Sequence, residues 1–259
     1  GTPAGTYSFD IEAVADGTDI GHQALTIIVP EKKLTLTPAT ATNPIGTSHT
    51  VTASVFDDLG PYVGDTVSFA VASGPAASPT SATATTDSAG TASFTFTNTP
   101  SQPGTNSITA TDGSLTASAS KTWFDTPPDC SAVSLDVTSL WPPNHKLRTV
   151  TASGVTDGDI GDSTTTVIDG VTQDEPVNGL GDGDTSPDAF LSSPLGPSVK
   201  LRAERSGLGD GRVYRVHVTG TDKFGLTCSA TLTVGVPHDQ GSGATPIDSA
   251  PPSYDSTLP

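Results

Sequence analysis

Methionine is absent from this 259-residue chain, aromatic residues make up only 5% of it, and 11 Lys and Arg stand against 28 Asp and Glu. Without Met the sequence does not begin at an initiator, so the expectation is a segment of a longer protein. The few aromatics and a hydrophobic share of 33% leave small cores of Val, Ile, Leu and Ala with occasional Phe and Tyr anchors. A formal charge of −17 repels phosphate backbones and anionic lipid, which argues against nucleic acid or a membrane surface as partner and favours cations. No apolar run reaches the roughly 18 residues of a membrane span, so no membrane insertion of this segment is expected. Asn98-Thr99 is followed by Pro100, which removes the one near-match to an N-glycosylation acceptor and points to a bacterial surface protein rather than a eukaryotic glycoprotein. Catalytic signatures are missing as well: no Gly-X-Ser-X-Gly elbow, His-Glu-X-X-His pair, phosphate loop or zinc-spaced Cys/His cluster occurs. His22, His49, His145, His217 and His238 are scattered over different segments. The expected protein is not an enzyme.

What the chain does have is period-two alternation. Residues 4–30, 103–123 and 211–237 each read as a strand, a short Asp-containing turn and a second strand. In the first, Tyr7, Phe9, Ile11 and Ala13 share one face and Leu25, Ile27 and Val29 share one face of the next strand, across an Asp16-Gly17 turn. From Leu34 onward short strands recur about every ten residues with Gly, Pro, Asn or Asp between them, the pattern of a sandwich. The expectation is all-β: tandem immunoglobulin-like sandwiches at 30–125 and 126–240, a hairpin at 1–29, and a Pro/Ser/Gly tail or linker at 241–259. A lone hairpin is marginal in water. Residues 1–29 are therefore expected to be the remnant of a preceding domain or strands donated to a neighbour. Pro127-Pro128 stiffens the expected linker between the two sandwiches.

The segments 49–71 (HTVTASVFDDLGPYVGDTVSFAV) and 84–97 (ATTDSAGTASFTFT) carry the turns V-x-D-x-x-G-x-x-V and T-T-D-x-x-G in order. Residues 32–123 thereby resemble the bacterial immunoglobulin-like domains of intimin- and invasin-type adhesins. Residues 140–146 (LWPPNHK), 172–189, 201–207, 211–214 and 236–241 (VPHDQG) resemble a β-sandwich module that recurs in large secreted bacterial proteins. The second resemblance implies a module better known as a companion of other domains than for an activity of its own.

The chemistry in the sequence is acidic. Asp157, Asp159, Asp162, Asp174, Glu175, Asp182, Asp184 and Asp188 fall in one window that holds neither Lys nor Arg. Two carboxylates about 6 Å apart repel by roughly 0.7 kcal/mol in water. If several such loops converged on one end of the sandwich, calcium, a hard cation with oxygen ligands, would relieve the repulsion; the alternative is solvated turns whose carboxylates cap backbone NH groups. Arg205 is expected to reach the acidic loops, and Arg202 to share a strand face with Glu204. Cys130 and Cys228 are expected to form a disulfide in an extracellular chain, the alternative being two buried thiols. Trp141 is a weak ligand-binding candidate for stacking on a sugar ring, and more readily a core plug. These features lead to a non-enzymatic extracellular structural protein: a stalk, adhesin shaft or filament subunit that contacts copies of itself by strand donation or end to end. The alternative is a carbohydrate-binding accessory module that meets surface glycans.

Overall fold

The structure, a computed structural model, describes residues 3–179, 181–241 and 244–259. Residues 1 and 2 of the expected hairpin, 180 of the acidic window and 242 and 243 of the expected tail lie outside the described residues. Every regular element among the described residues is a β-strand, and no helix is long and apolar enough to cross a membrane. The chain divides into two units, Gly1–Asp125 and Thr126–Pro259.

The first unit opens with β1 (Gly5–Ala15) and β2 (Thr18–Val29), an antiparallel pair that forms a two-stranded sheet by itself. Asp16 and Gly17 close it at φ 50° and 76°. Positive φ at both central residues marks a type I′ turn, whose twist matches the strands and which suits an Asp-Gly pair. Pairings Tyr7 with Ile27 and Phe9 with Leu25 place the apolar side chains on one face. The other face carries Ser8, Asp10, Glu12 and His22 against Thr26, Ala24 and one another.

The sandwich of this unit contains β3 (Lys33–Thr37), β4 (Thr40–Pro44), β5 (Ser48–Asp57), β6 (Gly60–Pro61), β7 (Thr66–Ser73), β8 (Ala77–Ser78), β9 (Ser81–Thr85), β10 (Thr91–Asn98), β11 (Gly104–Asp112) and β12 (Leu115–Phe124). One sheet runs β3-β5-β10-β8 with β6 on β5, and the other β4-β12-β11-β7-β9. The first strand of the sandwich thus switches sheets, β3 lying antiparallel to β5 and β4 parallel to β12. That distribution is the ABED-and-CFG arrangement of an immunoglobulin fold. Alternation fixes the faces: Val51, Ala53 and Val55 on β5 and Ala92, Phe94 and Phe96 on β10 are buried, while Thr50 with Thr95 and Thr52 with Ser93 pair hydroxyls outside. Phe69, Phe94, Phe96 and Trp123 form a chain of ring contacts, with centroids 5.6, 5.6 and 6.0 Å apart, that fills the middle. Trp123 donates its indole NH to Asn106 Oδ1 at 2.6 Å, inside this sandwich.

The two turn motifs of the resemblance have a physical basis. Asp57 accepts the NH groups of Leu59 and Gly60 and the Tyr62 hydroxyl at 2.6 Å. Asp87 accepts from Ala89 and Thr91. Gly90 follows at φ 73°, where a Cβ would stand 2.6 Å from the Val55 carbonyl, so only glycine fits.

The second unit contains β13 (Ser134–Leu135), β14 (Leu147–Ser153), β15 (Thr165–Gln173), β16 (Ala189–Leu191), β17 (Ser198–Arg202), β18 (Gly211–Thr221), β19 (Thr227–Pro237) and β20 (Tyr254–Asp255). Its sheets run β13-β14-β17-β16 and β19-β18-β15-β20, again the immunoglobulin distribution. The core joins Leu140, Val150, Ile168, Val171, Leu201, Tyr214, Val216 and Val234. Cys130, ahead of β13, is bonded to Cys228 on β19, with Cα atoms 5.7 Å apart. The bond ties the entry of the unit to its long closing hairpin, and a disulfide fits an oxidising compartment. The expected tail adds to this sheet. β20 pairs with β15, Ser256 is buried, and Arg215 bonds Asp248.

Candidate functional site

β15 carries the acidic segments away from each other. Its pairing with β18 sets Thr165 opposite Thr221 at one end and Gln173 opposite Tyr214 at the other. Eight residue-to-residue steps of about 3.3 Å separate those ends by roughly 26 Å. Asp157, Asp159 and Asp162 precede β15, whereas Asp174, Glu175, Asp182, Asp184 and Asp188 follow it. The expected convergence of loops on one end therefore does not occur: the spacing of charges along the sequence says nothing about which end of a strand a loop meets.

At the second end the carboxylates surround a buried arginine. Arg212, on β18, is fully buried. Its Nη1 donates to Asp188 Oδ2 at 2.6 Å, its Nε to Glu175 Oε2 at 3.1 Å, and its Nη2 stands 3.6 Å from Asp182 Oδ2. Gln173 Nε2 also donates to Asp188 Oδ2, at 2.8 Å. Burial pushes the Asp188 carboxyl up to about 6, and the Arg212 guanidinium opposes that shift. Burial works against Arg212 itself, but Tyr214, Asp188 and Glu175 hold its pKa above the ordinary value. Asp182 accepts the backbone NH groups of Gly179 and Asp184, and Asp174 those of Val213 and Ser249. Buried Glu204 completes the network, taking His145 Nδ1 at 2.9 Å and the Thr185 hydroxyl, with Arg202 Nε 3.9 Å away. Of Asp174, Glu175, Asp182, Asp184 and Asp188, Asp184 alone is exposed, at φ 53°.

Arg212, Arg202 and backbone donors hold most of these carboxylate oxygens, with Asp188 Oδ1 and Glu204 Oε1 buried without a hydrogen-bond partner and Arg202 Nε 3.7 Å from the former, so the cluster is built as a structural ion network. Arg205 is not part of it: its guanidinium donates to the carbonyls of Pro237, Ser206 and His238. Nearness in the chain favours Arg205, while only the β15–β18 register brings Arg212 beside Gln173 and Asp174.

At the first end no lysine or arginine side chain pairs with the acids among the described residues. Asp162 Oδ1 accepts the NH groups of Ser163 and Lys223, and Asp222 Oδ1 those of Phe224, Gly225 and Leu226. Carboxylate oxygens of Asp162 and Asp222 lie within 4.8 Å of each other, a repulsion of about 1 kcal/mol in water and about 3 kcal/mol near a low-dielectric surface. Asp159 turns elsewhere, accepting the NH and hydroxyl of Thr126. Asp222 was missed in the sequence because it lies far from the acidic window; its Asp-Lys-Phe-Gly turn was the available signal. A further group, Glu12, Asp19 and His22 on the hairpin, is exposed, and both nitrogens of His22 already face Asp10 and Asp19.

Trp141 does not plug the core. Its side chain is 42% exposed, and the preceding Leu140 takes the buried position at 1%.

No protein-family model matches the chain, and no curated protein matches it. Among solved structures it is similar to invasin, a bacterial integrin-binding protein, at 19% identity and a TM-score of 0.40, covering 81% of this chain and 40% of that one. It is also similar to domains 4–9 of the surface layer protein SbsC at 14% identity and a TM-score of 0.28, covering 90% and 35%. A chimeric titin Z1Z2 tandem matches at 15% identity and a TM-score of 0.21, covering 80% and 97%. The chain thus spans well under half of the invasin and SbsC structures it matches.

Proposed function

We propose that this chain is a non-enzymatic extracellular structural module, a stalk, adhesin shaft or filament subunit of immunoglobulin-like sandwiches, which joins neighbouring copies of itself through the β1–β2 hairpin. The observation that carries the reading is the amphipathic hairpin. Phe9, Ile11, Leu25 and Ile27 stand on one face at 45–53% exposure, and the hairpin forms a two-stranded sheet by itself. An uncovered apolar sheet face is a docking surface. The same face on a second copy presents the same apolar side chains, the arrangement of an isologous twofold interface. The disulfide and the resemblance of residues 32–123 to bacterial adhesin domains support an extracellular, load-bearing setting.

Sedimentation equilibrium of the full chain tests the reading. The wild type associates, and the pair Phe9→Ser with Ile27→Ser is monomeric with both sandwiches folded. A wild type that stays monomeric at its highest soluble concentration, or association unchanged by the substitutions, overturns it.

A further inference from the structure

The carboxylates at the β14–β15 end of the second unit have an incomplete set of partners. Asp222 is 6% exposed, and three backbone NH groups fix its Oδ1. Its Oδ2 is buried with no hydrogen-bond partner. The same holds for Oδ2 of Asp162 and Oδ2 of Asp157, whose Oδ1 atoms accept the NH groups of Ser163 and Lys223 and of Asp159. Each side chain is therefore held by one oxygen and leaves the other bare. Lys223 offers only its backbone NH here, and its ammonium lies over the Phe224 ring at 5.1 Å. A buried carboxylate oxygen with neither donor nor cation is costly, and the hard, oxygen-only character of these atoms selects its remedy.

We infer that Asp162 and Asp222 bind a calcium ion between the loop before β15 and the β18–β19 turn. The ion neutralises the two carboxylates that lie within 4.8 Å of each other and takes its remaining ligands from backbone carbonyls and water, which calcium accepts in irregular geometry. Magnesium fits less well, because it demands near-octahedral ligands at shorter distance and gives up water reluctantly. Affinity belongs in the range of extracellular modules, a Kd of about 0.1–1 mM, because few charges contribute. The Arg212 cluster at the opposite end takes no part.

Isothermal titration of the full chain with calcium chloride, alongside thermal unfolding in calcium chloride and in EDTA, tests this. The wild type binds one ion, and the transition of the second unit moves up by several degrees in saturating calcium. Asp222→Asn keeps an oxygen for the three turn NH groups and removes the charge, and Asp162→Asn does the same across the gap; each weakens binding at least tenfold. Asp184→Asn, on the exposed loop at the other end, binds as the wild type does. If Asp222→Asn fails to fold, Asp162→Asn carries the comparison. Absence of binding by the wild type, or a response to calcium matched by magnesium and unchanged in Asp162→Asn, overturns the assignment.

Discussion

Replacing Arg212 by Met removes the only cation among the described residues that touches Asp188, Glu175 and Asp182 together. Met has similar length and no charge, so it fills the space while leaving one fully buried carboxylate without its 2.6 Å partner. Breaking a buried ion pair in this way costs about 3–5 kcal/mol, most of it the penalty on the abandoned charge. At about 2.1 cal/mol/K of unfolding entropy per residue, the second unit (residues 126–259) loses on the order of 11–18 °C in Tm. Differential scanning calorimetry reads this directly, with the first unit as internal reference because its core contains none of these residues. The pH dependence supplies a signature that simple cavity formation lacks. Burial already lifts the Asp188 carboxyl to about 6, and without Arg212 it rises further above its unfolded value. A carboxyl raised on folding contributes stability that is complete below the unfolded pKa and is lost as pH rises through the folded one. The deficit of Arg212→Met is therefore larger at pH 7 than at pH 5. A loss below about 1 kcal/mol, or an equal loss at both pH values, refutes the view that Arg212 holds this end of the sandwich by charge.

Lys121 gives a second pH test, in the first unit. It is buried, donates to Asn43 Oδ1 at 2.5 Å and lies over the Trp123 ring at 4.6 Å; burial lowers its pKa to about 8. Between that value and the unfolded 10.5 the unfolded chain binds the extra proton, so stability rises with pH there, by at most about 1.4 kcal/mol per pH unit. Chemical denaturation across this window shows the slope in the wild type and its loss in Lys121→Met. The half-exposed Trp141 separates the structural reading from the carbohydrate-binding one: a glycan array is expected to show no binding, and a signal abolished by Trp141→Ala would favour the accessory module.

The first sandwich was legible because its signals are local. Val51, Ala53 and Val55 alternate with Thr and Ser, and that alternation alone assigns a face to each side chain of β5. Asp57 and Asp87 cap their own turns, so the motif and its physical cause lie within a few residues. Asp16-Gly17 likewise specifies its hairpin through backbone conformation. The ion network was not legible, because its members are distant in the chain: Arg212 meets Asp188 across 24 positions and Glu175 across 37. Nor could the sequence distinguish Trp141 from Leu140 as the buried neighbour, since that depends on how the segment enters the sandwich.

That the protein is built of strands, where most of them lie, and that its turns are closed by Asp and Gly all follow from local pattern, because period-two alternation and turn chemistry act over a few residues. Tertiary structure alone decided what the acidic residues do. The register of β15 against β18 sends one group to Arg212, which pairs with it inside the protein, and leaves Asp162 and Asp222 close together with no cationic side chain paired to them among the described residues.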